Sequence, residues 1–229
     1  MVRYALILIF LSFVNLFLAN TPNLKKRVNL SETNESEEAD KYYLHKEIKA
    51  TVFWIGEEES EENDYISNRE SIWDKAWLEN YGGVDDPKNR NGFYPAAFIP
   101  KQNPFYVALP YSDIVDSKKV DSVSEIPWYA EEVNENVSQV KNRWLKVIHG
   151  GNVCYAQWED AGPGVYDDFD YVFGKSLPKN RFGVNAGIDI SPAVKDCLQV
   201  GGISTIDWVF VDDVNVPLGP WQEIITRDL

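Results

Sequence analysis

Several things are scarce in this chain, and each scarcity removes a class of function. Among 229 residues there are two cysteines, one methionine and two histidines. With so few soft and imidazole ligands, no metal-ligand cluster is read in the chain. Basic residues are also short, with 22 Lys and Arg against 36 Asp and Glu, a formal net charge of −14. A field of that sign disfavours nucleic acid and anionic membranes as partners. No Gly-rich phosphate loop, metal-ligand cluster or Ser-nucleophile elbow occurs. Neither a cofactor nor a metal is therefore expected. One long apolar run exists, from Tyr4 to Ala19, broken by Ser12 and Asn15 and preceded by Arg3. It is short of the roughly 20 residues that span a bilayer and is built like a secretory signal peptide. Ala19 suits the last position before cleavage, whereas Phe17 is bulky two residues earlier, so an uncleaved N-terminal anchor is the rival reading.

What is present is a core. Hydrophobic residues make up 44% of the chain and aromatics 14%, which suits one domain. Residues 20–47 are polar and mixed, and read as a flexible tether. The folded domain is expected from Ile48 to the C-terminus, with His149 as its histidine. Sequons at Asn29, Asn34 and Asn136 matter only in a eukaryotic secretory route.

Within the domain, local chemistry punctuates the chain. Residues 48–54 are β-rich. The acidic run from Glu57 to Asp64 reads as a solvated loop, since it lacks the alternating ligands and Gly turn of a calcium site. Ser67 and Glu70 form a capping box that predicts a helix over 67–81, with Gly82 as its stop. Its stripe of Trp73, Trp77 and Tyr81 either packs the helix onto the body or offers sugar rings a platform. A long loop covers 84–102, a strand follows to Ala108, and Leu109-Pro110 ends it. His149-Gly150-Gly151 predicts a hairpin between strands over 144–148 and 152–159. Alternation puts Cys154, Ala156, Trp158 and Asp160 on one face of the second of these, which ends at Gly162-Pro163. Residues 164–186 form an insertion expected to overhang the site. Ile188-Asp189-Ile190 is a short strand, and Ser191 caps a helix with Pro192 at its first position. Residues 206–211 alternate as a strand.

The pair of acidic segments carries a family resemblance. Asp160, Gly162 and Pro163, followed by Ile188, Asp189, Ile190, Ser191, Ala193 and Leu198, resemble the double-psi β-barrel proteins. That group includes rare lipoprotein A-type septal proteins, expansins, barwin-like proteins and family 45 endoglucanases. Residues 50–56 are similar to the family's first strand, and Leu109-Pro110 to its Leu-Pro. The resemblance covers roughly residues 48–226. It implies a mainly β fold, a six-stranded double-psi barrel with short helices and long loop insertions. It implies an exported protein of the cell envelope or extracellular space that engages polysaccharide. Asp160 and Asp189 are the candidate acid/base residues, and Tyr106, Trp128 and Trp158 the candidate substrate-binding aromatics. In the family the helix after the second acid packs near the barrel. A bond between Cys154 and Cys197 is implied on that ground, and two buried thiols are the other reading.

Two departures bear on chemistry. Where lytic relatives carry a His before the Leu-Pro, this chain has Tyr106, and the Arg of Asp-Arg-Gly-Pro is Ala161. A tyrosine at its ordinary pKa near 10 is a poor base at neutral pH. Cleavage and binding without cleavage both stay open. So do the structural roles of the two acids, as caps of the Gly162-Pro163 turn and the Ser191 helix. The alternative function is a non-enzymatic envelope protein whose acidic surface binds a protein partner. A monomer is expected, with no membrane contact once the leader is removed.

Overall fold

The computed structural model describes residues 41–63, 65–131 and 134–227. The stretch expected as a leader, and most of that expected as a tether, lie outside the described residues. Six strands close into a barrel: β1 (His45–Val52), β2 (Tyr106–Leu109), β3 (Trp144–His149), β4 (Asn152–Ala161), β5 (Ile188–Ile190) and β6 (Ile203–Val211). Their order around the barrel is β1-β6-β3-β4-β2-β5, and it returns to β1. Two neighbouring pairs run parallel, β4 with β2 and β5 with β1, and the other four run antiparallel. Closure leaves no barrel edge open to another chain. The fold is mainly β, with short helices α1 (Trp77–Tyr81), α2 (Phe169–Val172) and α3 (Pro192–Leu198).

Regular structure begins ahead of Ile48. Tyr42 is buried, and His45 opens β1, stacked on Trp208 at 4.0 Å. The hairpin forms as read, with Gly150 at φ 57° between β3 and β4. Inward residues of the six strands make one core, including Val107, Leu145, Val147, Cys154, Ala156, Trp158, Ile188, Ile190, Trp208 and Phe210. Almost all of β4 is buried, which a strand with one solvated face would not be. The C-terminal segment explains this. Gln157 Oε1 accepts from Thr226 N and from Asn103 Nδ2, each at 2.9 Å, and Tyr155 packs on Trp221.

The helix expected over 67–81 is confined to Trp77–Tyr81. Side chains take the backbone donors that an earlier turn would have used. Ser71 Oγ accepts from Asp74 N at 3.0 Å, and Asp74 Oδ1 from Ala76 N at 3.0 Å. Such local bonds compete with helix formation. Gly82, at φ 110°, ends the helix by donating to Leu78 O. The aromatic stripe packs inward. Trp77 and Tyr81 are buried with Phe53, Ile55, Leu78, Tyr106 and Ala108 in a second cluster, on the outer face of β2.

That second cluster rests on a buried ion pair from the long 84–102 loop. Arg90 Nη1 lies 2.5 Å from Asp85 Oδ1, and Tyr106 donates its hydroxyl to Asp85 Oδ2 at 2.9 Å. The insertion after Gly162-Pro163 is docked too. Ser112 N donates to Tyr166 O at 2.8 Å, and Trp208 Nε1 to the Tyr171 hydroxyl at 3.0 Å.

Candidate functional site

A shift of register builds the site. Val107 of β2 faces Trp158 of β4, but the next residue, Ala108, faces Asp160, so Glu159 is an extra residue in β4. An inserted residue turns the following side chain to the opposite face. Trp158 therefore points into the core while Asp160 shares the outer face with Ala108. This corrects the simple alternation, which placed the two on one side. On the other flank of β2, Ala108 also faces Asp189 of β5, and Asp189 faces Thr51 of β1. Directly opposed residues on neighbouring strands present side chains to the same face. The result is one row across four strands, Thr51, Asp189, Ala108 and Asp160, with the smallest side chain between the two acids.

Each acid is held by specific donors. Asp160 Oδ1 accepts from Ile72 N and from Ala161 N, both at 2.8 Å. Thr51 donates its hydroxyl to Asp189 Oδ1. The turn after β4 comes back against the second acid, since a Cβ on Gly162 would stand 3.8 Å from Asp189 Oδ2. Gly162 has φ 149°, which L side chains rarely adopt. Asp160 is 9% exposed and Asp189 is half-buried.

Burial sets their proton affinity. It pushes Asp160 up to about 7, with the two backbone donors pulling down and the Asp189 charge pushing up further. Asp189 also rises to about 7, through burial first, with Thr51 opposing and Glu57 adding to the rise. Both carboxyls therefore titrate near neutral pH, with the Asp189 charge adding to the rise of Asp160. Near neutral pH each carboxyl is partly protonated, so the row offers both donors and acceptors to ligand oxygens.

The sequence reading found the two acids and missed what surrounds them. Thr51 was hidden in an ordinary strand, and the Ile72 backbone donor in a presumed helix. Glu57 stood in a run read as a solvated loop. Tyr166, 49% exposed, is raised by burial and then by the Asp160 charge, which places it within electrostatic reach of that acid.

Two of the three candidate binding aromatics lie in the interior. Tyr106 and Trp158 are fully buried, so neither ring presents a face to a ligand. Tyr106 also accepts from Ile55 N at 3.0 Å, and Trp158 Nε1 donates to Asp160 O at 2.8 Å. Trp128 packs edge-on against Phe210 at 4.9 Å, lies under the Arg143 guanidinium at 4.1 Å and donates Nε1 to Gln139 O. Tyr106 and Trp158 are thus packing residues, whereas Trp128 is half-buried. Cys154 and Cys197 are free thiols, so the bond that the resemblance implies is not formed in this structure. Among the described residues, no group of acidic, His and Cys side chains is arranged to hold a metal ion, and no helix is long and apolar enough to cross a membrane.

Fold and site together define an acidic, closed six-stranded β-barrel with a paired carboxyl row on its outer face. No family model matches the chain, and no curated protein matches it. Among solved structures, a Streptomyces papain inhibitor shows a weak likeness, at 13% identity and a TM-score of 0.31, covering 74% of this chain and 96% of that one.

Proposed function

We propose that this is an exported double-psi β-barrel protein that binds cell-wall or extracellular polysaccharide over the Asp160–Asp189 row. The observation that carries the reading is the placement of two carboxyls on either side of Ala108, on one face, both with proton affinities near neutral. Neutral sugars offer dense hydroxyl and ether oxygens, and two partly protonated carboxyls can both donate to and accept from them. The closed six-strand order with two parallel pairs supports the double-psi assignment.

If the protein cleaves its ligand, Asp160 is the acid/base. A carboxyl protonated near neutral pH can pass its proton to a glycosidic oxygen, and the ionised partner can draw a proton from water or a sugar hydroxyl. Tyr106 takes no part in this, because burial and the nearby Asp85 charge hold its hydroxyl protonated.

The test is a pulldown of the purified protein on insoluble peptidoglycan, cellulose and chitin, with soluble products read by mass spectrometry. Wild type is compared with Asp160→Asn. Binding with products that vanish in the variant establishes a cleaving enzyme. Binding without products establishes a carbohydrate-binding barrel. A second reading, a partner protein docking on the acidic face, draws on the burial of Tyr106 and Trp158, which removes the aromatic platform a sugar would stack on. Failure to bind any of the three polymers leaves that second reading in front.

A further inference from the structure

We propose that Cys154 and Cys197 form a reversible thiol–disulfide switch that staples strand β4 to helix α3. The proposal is independent of what the carboxyl row binds.

The two thiols sit on elements that already pack together. Cys154 is inside β4, fully buried and paired across the sheet with Val147 of β3. Cys197 lies in α3, half-buried and open to solvent on one side. Cys197 Sγ points at Val153 O, 3.8 Å away, beside the Cys154 backbone. Cys154 Sγ points at Tyr155 O, 3.9 Å away, on the other side of the same residue. Asn152 Nδ2 donates to Leu198 O at 3.0 Å and fixes the end of α3 to the start of β4. Cys197 Sγ thus lies against the backbone next to Cys154, and with both sulfurs free here the staple requires the two to close to bonding distance.

The chemistry divides between them. The neighbouring Cys154 thiol lowers the Cys197 pKa, whereas burial raises that of Cys154. The accessible sulfur is thus the better nucleophile and the buried one the resolving thiol. With a low-molecular-weight disulfide as oxidant, the Cys197 thiolate attacks one sulfur and expels one thiolate. A mixed disulfide remains on Cys197. Cys154 then gives up its proton, attacks Cys197 Sγ and expels the second thiolate. The protein loses two hydrogens, and the small disulfide becomes two thiols.

The staple would join the elements that frame the site. β4 runs on from Cys154 to Asp160, and α3 follows directly from the strand that carries Asp189.

The experiment incubates the native, full chain with oxidised glutathione, then measures intact mass, free thiols and thermal midpoint. Wild type should lose both thiols, retain no glutathione and gain on the order of 10 °C, reversed by a dithiol reductant, as a closed loop of about 43 residues implies. Cys154→Ala should keep one glutathione on Cys197 with no rise in midpoint. Cys197→Ser should stay unmodified while folded. The proposal is overturned if wild type keeps both thiols, stops at the mixed disulfide, or forms bonds between chains. The wild-type measurements decide the matter even if a variant fails to fold.

Discussion

Asp160 and Asp189 share a neighbour. Both stand opposite Ala108, one on each flank of β2, so the two carboxyls are separated by a single methyl side chain. The Asp189 charge adds to the proton affinity of Asp160, and the few donors around the row oppose the rise at each acid. That makes the donors the best place to probe the row.

Thr51→Val is the sharpest such probe. Valine keeps the shape and the strand preference of threonine but lacks the hydroxyl that donates to Asp189 Oδ1. That bond favours the charged form, so its loss raises the Asp189 pKa above 7. A hydrogen bond to a charged group contributes roughly 1.5–3 kcal/mol, which corresponds to an upward move of about 1–2 pH units. Carboxyl-carbon NMR titration of wild type should show two carboxyls titrating near neutral pH. In the variant one of them should move up. A pair of ordinary acid titrations in wild type would sink the account of the site.

Asp160→Asn tests the same carboxyl through stability. Asparagine keeps an oxygen to accept from Ile72 N and Ala161 N. In wild type the folded pKa, about 7, lies above the unfolded value of 3.8. The stability contributed by the bound proton is thus complete below pH 3.8 and is lost as pH rises to 7. Asparagine has no proton to lose. Its stability relative to wild type should grow between pH 4 and 7, by on the order of 4 kcal/mol in total. Urea unfolding at several pH values measures this, and a difference that stays flat across that range contradicts the shift.

The features legible in the sequence are the ones fixed by neighbours in sequence. The Gly150-Gly151 hairpin needs only positive φ at a tight turn. The Ser191 cap needs only its own hydroxyl and the Val194 N–H, which donates to it at 3.3 Å. The two acids were found because a family-like motif surrounds each. Glu159 was not legible as an extra residue, because the shift depends on β2, some fifty residues away in the chain. The shortened helix was lost for a similar reason, since Ile72 N is claimed by Asp160. Burial of Tyr106 follows from Asp85 and Ile55, whose approach no local pattern encodes.

His45 supplies an opposing pH dependence. It is stacked on Trp208 and meets Tyr171 edge-on at 5.1 Å. Burial lowers its pKa from 6.5 to about 4, against a backbone hydrogen bond at Val172 that raises it. Between those values the unfolded chain takes up a proton that the folded one refuses, so the histidine costs stability as pH falls from 6.5 to 4. His45→Phe keeps an aromatic ring and removes the titration. Relative to wild type, the variant should gain roughly 3 kcal/mol on going from pH 7 to pH 4. Its sign is opposite to that of Asp160→Asn, so the two variants should tilt the stability–pH curve in opposite directions. A His45→Phe difference independent of pH refutes the burial account.

Arg90 makes the final case, because its partner has nowhere to go. Asp85 is fully buried and is neutralised by Arg90 at 2.5 Å, with Tyr106 donating to its other oxygen. Arg90→Met leaves that carboxylate in the outer cluster without its counter-charge. Breaking such a buried pair costs about 3–5 kcal/mol. Burial already raises the Asp85 pKa against the pull of Arg90, so without the guanidinium it should take up a proton instead of staying charged. The variant should therefore be less destabilised at low pH than at neutral pH. Asp85→Asn in the same chain should recover part of the loss, since the amide carries no charge and its oxygen still accepts from Tyr106. Denaturant midpoints of the two single variants and the double variant measure the coupling directly. Additive losses would mean that the pair contributes nothing to holding the 84–102 loop on the barrel.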